Sequence, residues 1–214
     1  MSLLKRKPLS IGRAQRALRD DRVFVVASDD TYAPEQYFEH LPLPRVRVIV
    51  VPTPVNSGES APGHVVDRLK EAFANVSQRK QVQAGDEFWV LLDTDHHFRD
   101  NNVAATLEAI RTARQVGFEV AISNPCFELW LLLHHTDVAR GTTFSKCGDV
   151  EQEIRRVLGQ YNKTHIKPGQ FPLARVANAI RRARALETVP EAAWPEQAGT
   201  QIYRLFERVL PPGP

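Results

Sequence analysis

Four short apolar runs of strand length constrain the fold of this chain more than any other feature. They are rich in Val, Ile, Leu and aromatic residues and cover residues 22–27, 46–51, 87–92 and 118–122. Between them, apolar residues recur at helical spacing, as at Val65, Leu69, Phe73 and Val76. Buried strands alternating with amphipathic helices are typical of a parallel sheet covered on both faces. We therefore expect an α/β fold with a mainly parallel central sheet flanked by helices.

Helical periodicity without further apolar runs marks the C-terminal part. With 214 residues, the chain is long enough for one well-packed domain. We expect a basic lead-in over residues 1–21 and a single domain over residues 22–210, helical from about residue 150 to residue 210. Before that part, Asn124 and Pro125 are predicted to be the N-cap and first residue of a helix.

Composition limits which cellular compartment and which binding partners are expected for this chain. The N-terminus lacks the apolar segment of a signal peptide, and no apolar run approaches the roughly 20 residues of a membrane span. Cys126 and Cys147 do not make a disulfide framework, and they cannot form a zinc site without other ligands. These features predict a reduced, cytoplasmic protein with no membrane association. A net charge of +3 is compatible with nucleic acid, and an ordinary solvated surface explains it equally well.

Polar residues follow three of the four predicted strands. The segments are Asp29-Asp30, Asp93-Thr94-Asp95 and Ser123-Asn124. In open α/β sheets, ligands bind beyond the carboxyl ends of the strands. These segments are therefore expected to converge at one edge of the sheet.

Asp93 and Asp95 are the first candidates for a metal site. Two carboxylates held close repel each other unless a cation or a proton lies between them. Such oxygen ligands suit Mg²⁺ or Mn²⁺, and Asp29 or Asp30 would complete the cluster. An Asp-x-Asp motif is weak on its own, because a polar turn with a helix cap gives the same pattern.

Two further residues are candidates for proton transfer. Glu128 lies among apolar residues, where an unpaired carboxylate is costly. It is predicted to be a metal ligand or general base, the alternative being a carboxylate satisfied at the first turn of a helix. His96 directly follows the Asp93-Thr94-Asp95 segment, which we call the acidic tip.

Basic residues in the C-terminal part are candidates for nucleic-acid binding. Lys163, Arg181 and Arg182 belong to a basic set that would contact a phosphate backbone, although a solvated helix face is the commoner reason for such a set. The absence of Walker A, G-x-G-x-x-G and G-x-S-x-G patterns argues against the chemistries that those motifs serve.

The segment Ser-Asn-Pro-Cys-Phe-Glu-Leu-Trp-Leu-Leu-Leu-His at residues 123–134 closely resembles the hallmark block of RloB-like proteins, which are bacterial proteins associated with restriction and phage-defence loci. Its characteristic residues here are Asn124, Pro125, Trp130 and His134. Further matching segments lie at residues 34–38, 89–95, 161–163, 179–183 and 199–203.

The RloB-like family is similar to Toprim domains, which pair a glutamate after the first strand with a later Asp-x-Asp to bind Mg²⁺. The resemblance implies a Mg²⁺-dependent nuclease of anti-phage defence. Asp93 and Asp95 match directly, and Asp29 is the best match to the glutamate. Where relatives carry a Glu-Gly-Glu-like segment, this chain has Ser-Asp-Asp-Thr at residues 28–31, so Asp30 or Glu128 would have to compensate.

Two alternatives remain open. The altered first-strand segment also fits a catalytically weakened module that binds nucleic acid or a partner protein of a defence locus, either alone or as a homodimer. A haloacid-dehalogenase-like phosphatase would use Asp93 as its nucleophile, but the glycine-threonine continuation usual in that family is missing.

Overall fold

A mostly parallel sheet forms the centre of the computed structural model, which describes residues 21–54, 60–79, 81–98 and 102–210. Within these residues five strands pair in the order β2-β1-β3-β4-β5. Their bounds are Arg22–Ser28 for β1, Val46–Val51 for β2, Glu87–Asp93 for β3, Glu119–Asn124 for β4 and Gly199–Thr200 for β5. The first four pair in parallel and β5 is antiparallel to β4. The predicted fold class is confirmed.

Helices cover both faces of this sheet. Their bounds are Ala33–Glu39 for α1, Pro62–Gln78 for α2, Thr94–His97 for α3, Asn102–Gln115 for α4, Glu128–Leu133 for α5, Cys147–Leu158 for α6, Val176–Leu186 for α7 and Ile202–Val209 for α8. The predicted lead-in, apart from residue 21, lies outside the described residues. None of the described helices is both long enough and apolar enough to cross a bilayer.

Alternation along the strands divides the core into two layers. In β1, Phe24 and Val26 pack in one apolar cluster, and Val23 and Val25 pack in the other. Successive strand side chains point to opposite faces, so a run that is apolar throughout requires cover on both sides. Helices α2 and α4 cover one face, and α1 with α5 to α8 cover the other.

Helix α5 is buried on every side. All six of its residues are buried, and Glu128 among them has no exposed surface. Trp130 stacks on Phe206 with ring centroids 4.9 Å apart. His134 follows the helix and lies 3.0 Å from the Trp130 carbonyl through Nδ1 and 3.1 Å from the Tyr37 hydroxyl through Nε2. A helix buried on all sides fixes whatever polar group it carries, in this case Glu128.

The structure differs from the prediction in two places near this helix. Strand β5 was not predicted, and Asn124 and Pro125 do not begin α5, which starts at Glu128. Asn124 instead pairs with Gly199 in the sheet, and its side-chain amide donates to the Pro195 carbonyl at 2.9 Å. The ladder to β5 therefore keeps Asn124 in strand geometry, which prevents it from capping the helix.

A disulfide joins Cys126 to Cys147, whose Cα atoms lie 5.6 Å apart. It connects the segment before α5 to the first residue of α6. The expectation of two reduced thiols therefore does not describe this structure.

Replacing Trp130 by alanine is expected to lower the free energy of unfolding by about 3–5 kcal/mol, because it leaves a cavity under α5. A urea titration followed by circular dichroism measures the change. Val116→Ala is the control, since Val116 is 46% exposed and its loss should cost no more than about 0.5 kcal/mol. Equal losses for the two variants would contradict the assigned role of α5.

Candidate metal centre

The carboxyl ends of β1, β3 and β4 meet at one edge of the sheet, as predicted. Ser28 lies opposite Leu91, and Asp93 lies opposite Ser123. The backbone N–H of Asp93 donates to Asp29 Oδ2 at 2.9 Å. This bond joins the polar end of β1 to the polar end of β3.

A pocket of about 290 Å³ opens at this edge. Its charged lining residues are Asp29, Asp30, Asp93, Asp95 and Lys163. Four acids and one base leave the lining strongly anionic, which attracts a cation.

Three carboxylates converge here closely enough to hold one ion. Asp30, Asp93 and Glu128 each offer a ligand oxygen, and these oxygens lie within 4.8 Å of one another. We call these three residues the acidic triad. A set made only of carboxylate oxygens matches the preference of Mg²⁺ and Mn²⁺. The triad thus includes Asp93 of the predicted ligands, together with the two residues expected to compensate for the altered first-strand segment.

The other two predicted ligands, Asp29 and Asp95, line the same pocket but also hold backbone. Asp29 Oδ2 accepts the N–H of Asp93, and Asp95 Oδ2 accepts the N–H of Cys147 at 3.2 Å. These bonds fix the end of β3 and the start of α6. A direct role for either carboxylate in metal binding stays a prediction.

Backbone hydrogen bonds join the Asp93-Thr94-Asp95 tip to the segment that precedes Glu128. The backbone N–H groups of Thr94 and Asp95 both donate to the carbonyl of Pro125, at 3.0 and 3.2 Å. Pro125 follows a cis peptide bond from Asn124 and lies three residues before Glu128 in the chain. The residues of the hallmark block therefore place β3 and α5 in a fixed relation.

Asp30 is held by the turn that leads into α1. Its Oδ1 accepts the backbone N–H groups of Tyr32 and Ala33 at 2.6 and 2.9 Å, as aspartates commonly do in turns. Its Oδ2 lies 3.5 Å from Lys163 Nζ. One oxygen of Asp30 thus orients the carboxylate while the other faces a cationic group.

Lys163 reaches the pocket because α1 anchors its loop. Gln36 donates through Nε2 to the Lys163 carbonyl at 2.9 Å and accepts the N–H of Ile166 through Oε1 at 2.7 Å. Lys163, which was predicted to bind nucleic acid, therefore lies beside the candidate metal ligands.

Glu128 contacts one hydroxyl and one sulfur. Tyr161 donates to Glu128 Oε1 in a long hydrogen bond of 3.4 Å, and Cys147 Sγ lies 3.0 Å from Oε2. A disulfide sulfur carries no hydrogen, so it can only accept, and only from a protonated carboxyl. The sulfur contact therefore offers nothing to the ionised form of Glu128.

Burial and like charge disfavour ionisation of these acids. Burial raises the pKa of Asp93 well above its ordinary value, and the charges of Asp29 and Glu128 raise it further. Burial, followed by the charge of Asp30, raises the pKa of Glu128 to about 8. A divalent cation relieves both effects, because it compensates the charge that water no longer screens.

Of the remaining predicted site residues, Arg181 and Arg182 are not in the pocket lining, and the side chain of His96 is not described. Arg181 and Arg182 contact Asp137 at 3.6 and 3.1 Å, and neither is among the residues that line the acidic pocket. The side chain of His96 lies outside the described part of the chain. No role in metal or phosphate binding is therefore tested for these three.

Sequence reasoning did not single out three residues that contribute to this centre, namely Gln36, Tyr161 and Cys147. Gln36 and Tyr161 belong to segments that resemble the RloB-like family, which was the available signal. The position of Cys147 depends on how α6 packs, for which the sequence carries no local pattern.

Comparison with known proteins supports the resemblance to RloB-like proteins. The sequence model of the RloB-like protein family matches residues 24–209, and the chain belongs to that family. No curated protein gives a significant match, and neither does any solved structure.

The metal-free protein is expected to lose stability as the pH rises from 6.5 to 8, by up to about 1.4 kcal/mol per pH unit for one proton. The pKa of Glu128 is about 8 in the folded state against 4.5 ordinarily. Between these values the folded protein holds a proton that the unfolded chain has released, so stability falls with rising pH until the folded protein releases that proton as well. The window opens at 6.5 because burial lowers the pKa of His134 from 6.5 to about 4, which gives the opposite slope at lower pH.

Urea titrations in chelator at several pH values measure this slope. Glu128→Gln should reduce it, since glutamine does not titrate, whereas Glu108→Gln should not, because Glu108 is exposed on α4. An unchanged slope in Glu128→Gln would show that Glu128 is ionised in the metal-free protein.

Proposed function

We propose that this protein is a Mg²⁺-dependent nuclease that hydrolyses phosphodiester bonds of DNA or RNA in bacterial phage defence. The observation that carries the proposal is the acidic triad, three converging carboxylates beside a lysine at the carboxyl edge of a parallel sheet. Membership of the RloB-like family supports the link to defence loci.

The donor set fits the proposed ion. All three ligands are carboxylates, and two of them, Asp93 and Glu128, are buried, which raises the pKa of each above its ordinary value. A bound Mg²⁺ or Mn²⁺ would activate water and stabilise charge on the phosphate.

Each residue of the centre has a distinct task in this proposal. The acidic triad holds the cation, while Asp29 and Asp95 keep β3 and α6 in place through backbone bonds. With Glu128 acting as a ligand, His96 is the remaining candidate for proton transfer.

Lys163 is the group proposed to bind the substrate phosphate. Although burial lowers the pKa of Lys163, the carboxylates of Asp30 and Glu128 raise it above the ordinary value overall. The side chain is 39% exposed, so its ammonium group is both charged and reachable from solvent. A phosphate beside the metal would therefore meet a fixed positive charge.

Asp93→Asn is expected to lower Mg²⁺-dependent cleavage by at least about 100-fold, because the loss of a direct ligand costs no less than the loss of a supporting group. A panel of single- and double-stranded DNA and RNA, with and without chelator, provides the measurement. Asp67→Asn is the matched control, since Asp67 is an exposed aspartate on α2 that pairs with Lys70.

Cleavage that survives both Asp93→Ala and Asp95→Ala would remove this mechanism. A calorimetric Mg²⁺ titration separates the alternatives further. Binding that is lost in Asp93→Asn, without cleavage of any substrate, would contradict a nuclease and indicate a metal-dependent binding module.

Lys163→Gln is expected to lower kcat/KM by about 100-fold, as the loss of one stabilising donor does elsewhere. Mg²⁺ affinity should not fall, because the substitution removes a positive charge from the site. Lys167→Gln is the control, since Lys167 contacts Gln160 on the exposed surface. Equal activity of the two variants would exclude Lys163 from phosphate binding.

A further inference from the structure

A second set of potential ligands lies directly beside the acidic triad. Cys126, Glu128 and Cys147 each offer one atom, and these atoms lie within 4.8 Å of one another. The two sulfurs are bonded to each other as a disulfide, so neither can act as a thiolate in this state. Glu128 belongs to both sets.

We propose that reduction of the Cys126–Cys147 disulfide creates a binding site for a soft divalent cation, Zn²⁺ by its chemistry, held by two thiolates and the Glu128 carboxylate. Thiolates select zinc over magnesium, which requires oxygen ligands. Two cysteines alone do not make such a site, and the structure supplies the third ligand.

The backbone already holds the two cysteines at a suitable separation. Their Cα atoms lie 5.6 Å apart, and two sulfurs at tetrahedral positions about 2.3 Å from zinc are about 3.8 Å apart. Rotation of the cysteine side chains can supply this increase over a bonded S–S pair. Glu128 Oε2, which lies 3.0 Å from Cys147 Sγ, is placed beside the new position.

Bonds other than the disulfide keep these residues in place. The Cys126 carbonyl accepts the N–H of Leu129 at 3.0 Å, and the Cys147 N–H donates to Asp95. Tyr161 donates to the oxygen of Glu128 that faces away from the sulfur, and such partners orient a metal-binding carboxylate. Opening of the S–S bond therefore leaves the ligands near their positions.

A dithiol reductant can carry out the electron transfer. Cys147 is partly exposed and lines the acidic pocket, whereas Cys126 is buried. A reductant thiolate attacks Cys147 Sγ, and the S–S electron pair leaves on Cys126. The second thiol of the reductant then displaces Cys147, so the reductant is oxidised to its own disulfide. Zinc binding releases the two thiol protons.

Three protein ligands leave one position of a tetrahedral zinc open, as in zinc sites that keep a water. Cys147 lines the acidic pocket and Glu128 belongs to the acidic triad, so an ion held by these two residues would lie beside the triad. The redox state then determines whether the pocket offers carboxylates alone or carboxylates with a thiolate site. This last consequence rests on the proposed function, whereas the zinc site itself does not.

The test uses Co²⁺ alone as a spectroscopic substitute for zinc. The full chain is reduced with a phosphine, which is removed with oxygen excluded, because a thiol reductant would itself bind the metal. The reduced wild type is expected to show a thiolate-to-cobalt charge-transfer band that saturates at one Co²⁺ per chain, whatever further Co²⁺ the carboxylates bind, and one equivalent of Zn²⁺ should abolish the band. The oxidised wild type should show no such band.

Variants identify the ligands. Cys147→Ser and Glu128→Gln should each weaken Co²⁺ binding by at least about tenfold, with folding checked by circular dichroism. Asp30→Asn, which removes a member of the acidic triad alone, should bind Co²⁺ as the wild type does. Wild-type affinity in either ligand variant, a reduced wild type without the band, or loss of binding in Asp30→Asn would each overturn the proposal. None of these readings depends on nuclease activity.

Discussion

The charge of the buried Glu128 carboxylate is the constraint on which the candidate site depends. Glu128 has no exposed surface and lies within reach of Asp30 and Asp93. Water cannot solvate it, and its neighbours carry the same charge, so either a proton or a cation must compensate. Lys163 is the one basic residue among the described residues that line the pocket, and its single charge does not balance the four acids of that lining. The arrangement therefore favours a divalent cation on electrostatic grounds.

The packing of α5 prevents Glu128 from turning towards water to have its charge solvated. An exposed helix would turn its glutamate towards water, but Trp130 and His134 are fixed in the core by Phe206 and Tyr37. The opposing candidate ligand, Asp93, ends a strand that is paired on both sides. Both groups lie on elements that cannot separate without loss of core packing, and a preorganised ligand set follows from the fold itself.

The sequence allowed the sheet and the edge of the site to be predicted, because continuous apolar runs require cover on both faces and parallel strands end at one edge. It favoured Asp29 as the ligand from the first strand, whereas Asp30 is the residue whose oxygen converges with those of Asp93 and Glu128. This difference depends on the turn after β1, where Asp30 bonds to the backbone of Tyr32 and Ala33. Strand β5 has two residues and no periodicity, and the Cys126–Cys147 contact joins residues 21 apart in sequence. Such features are set by tertiary packing, which local patterns do not encode.

Glu128 belongs to both candidate metal-binding sets, the carboxylates of the acidic triad and the set with the two cysteines. Its two oxygens face different groups, Oε1 towards Tyr161 and Oε2 towards Cys147. With all groups ionised, the acidic triad and Lys163 alone carry an excess of two negative charges, and Asp29 and Asp95 add to it, so a divalent cation is favourable in the disulfide state. Reduction and ionisation of the cysteines would add two more, so a second divalent cation becomes favourable beside the first. A carboxylate has two oxygens and can serve both ions, which makes Glu128 the residue that couples metal binding to the redox state of the cysteines.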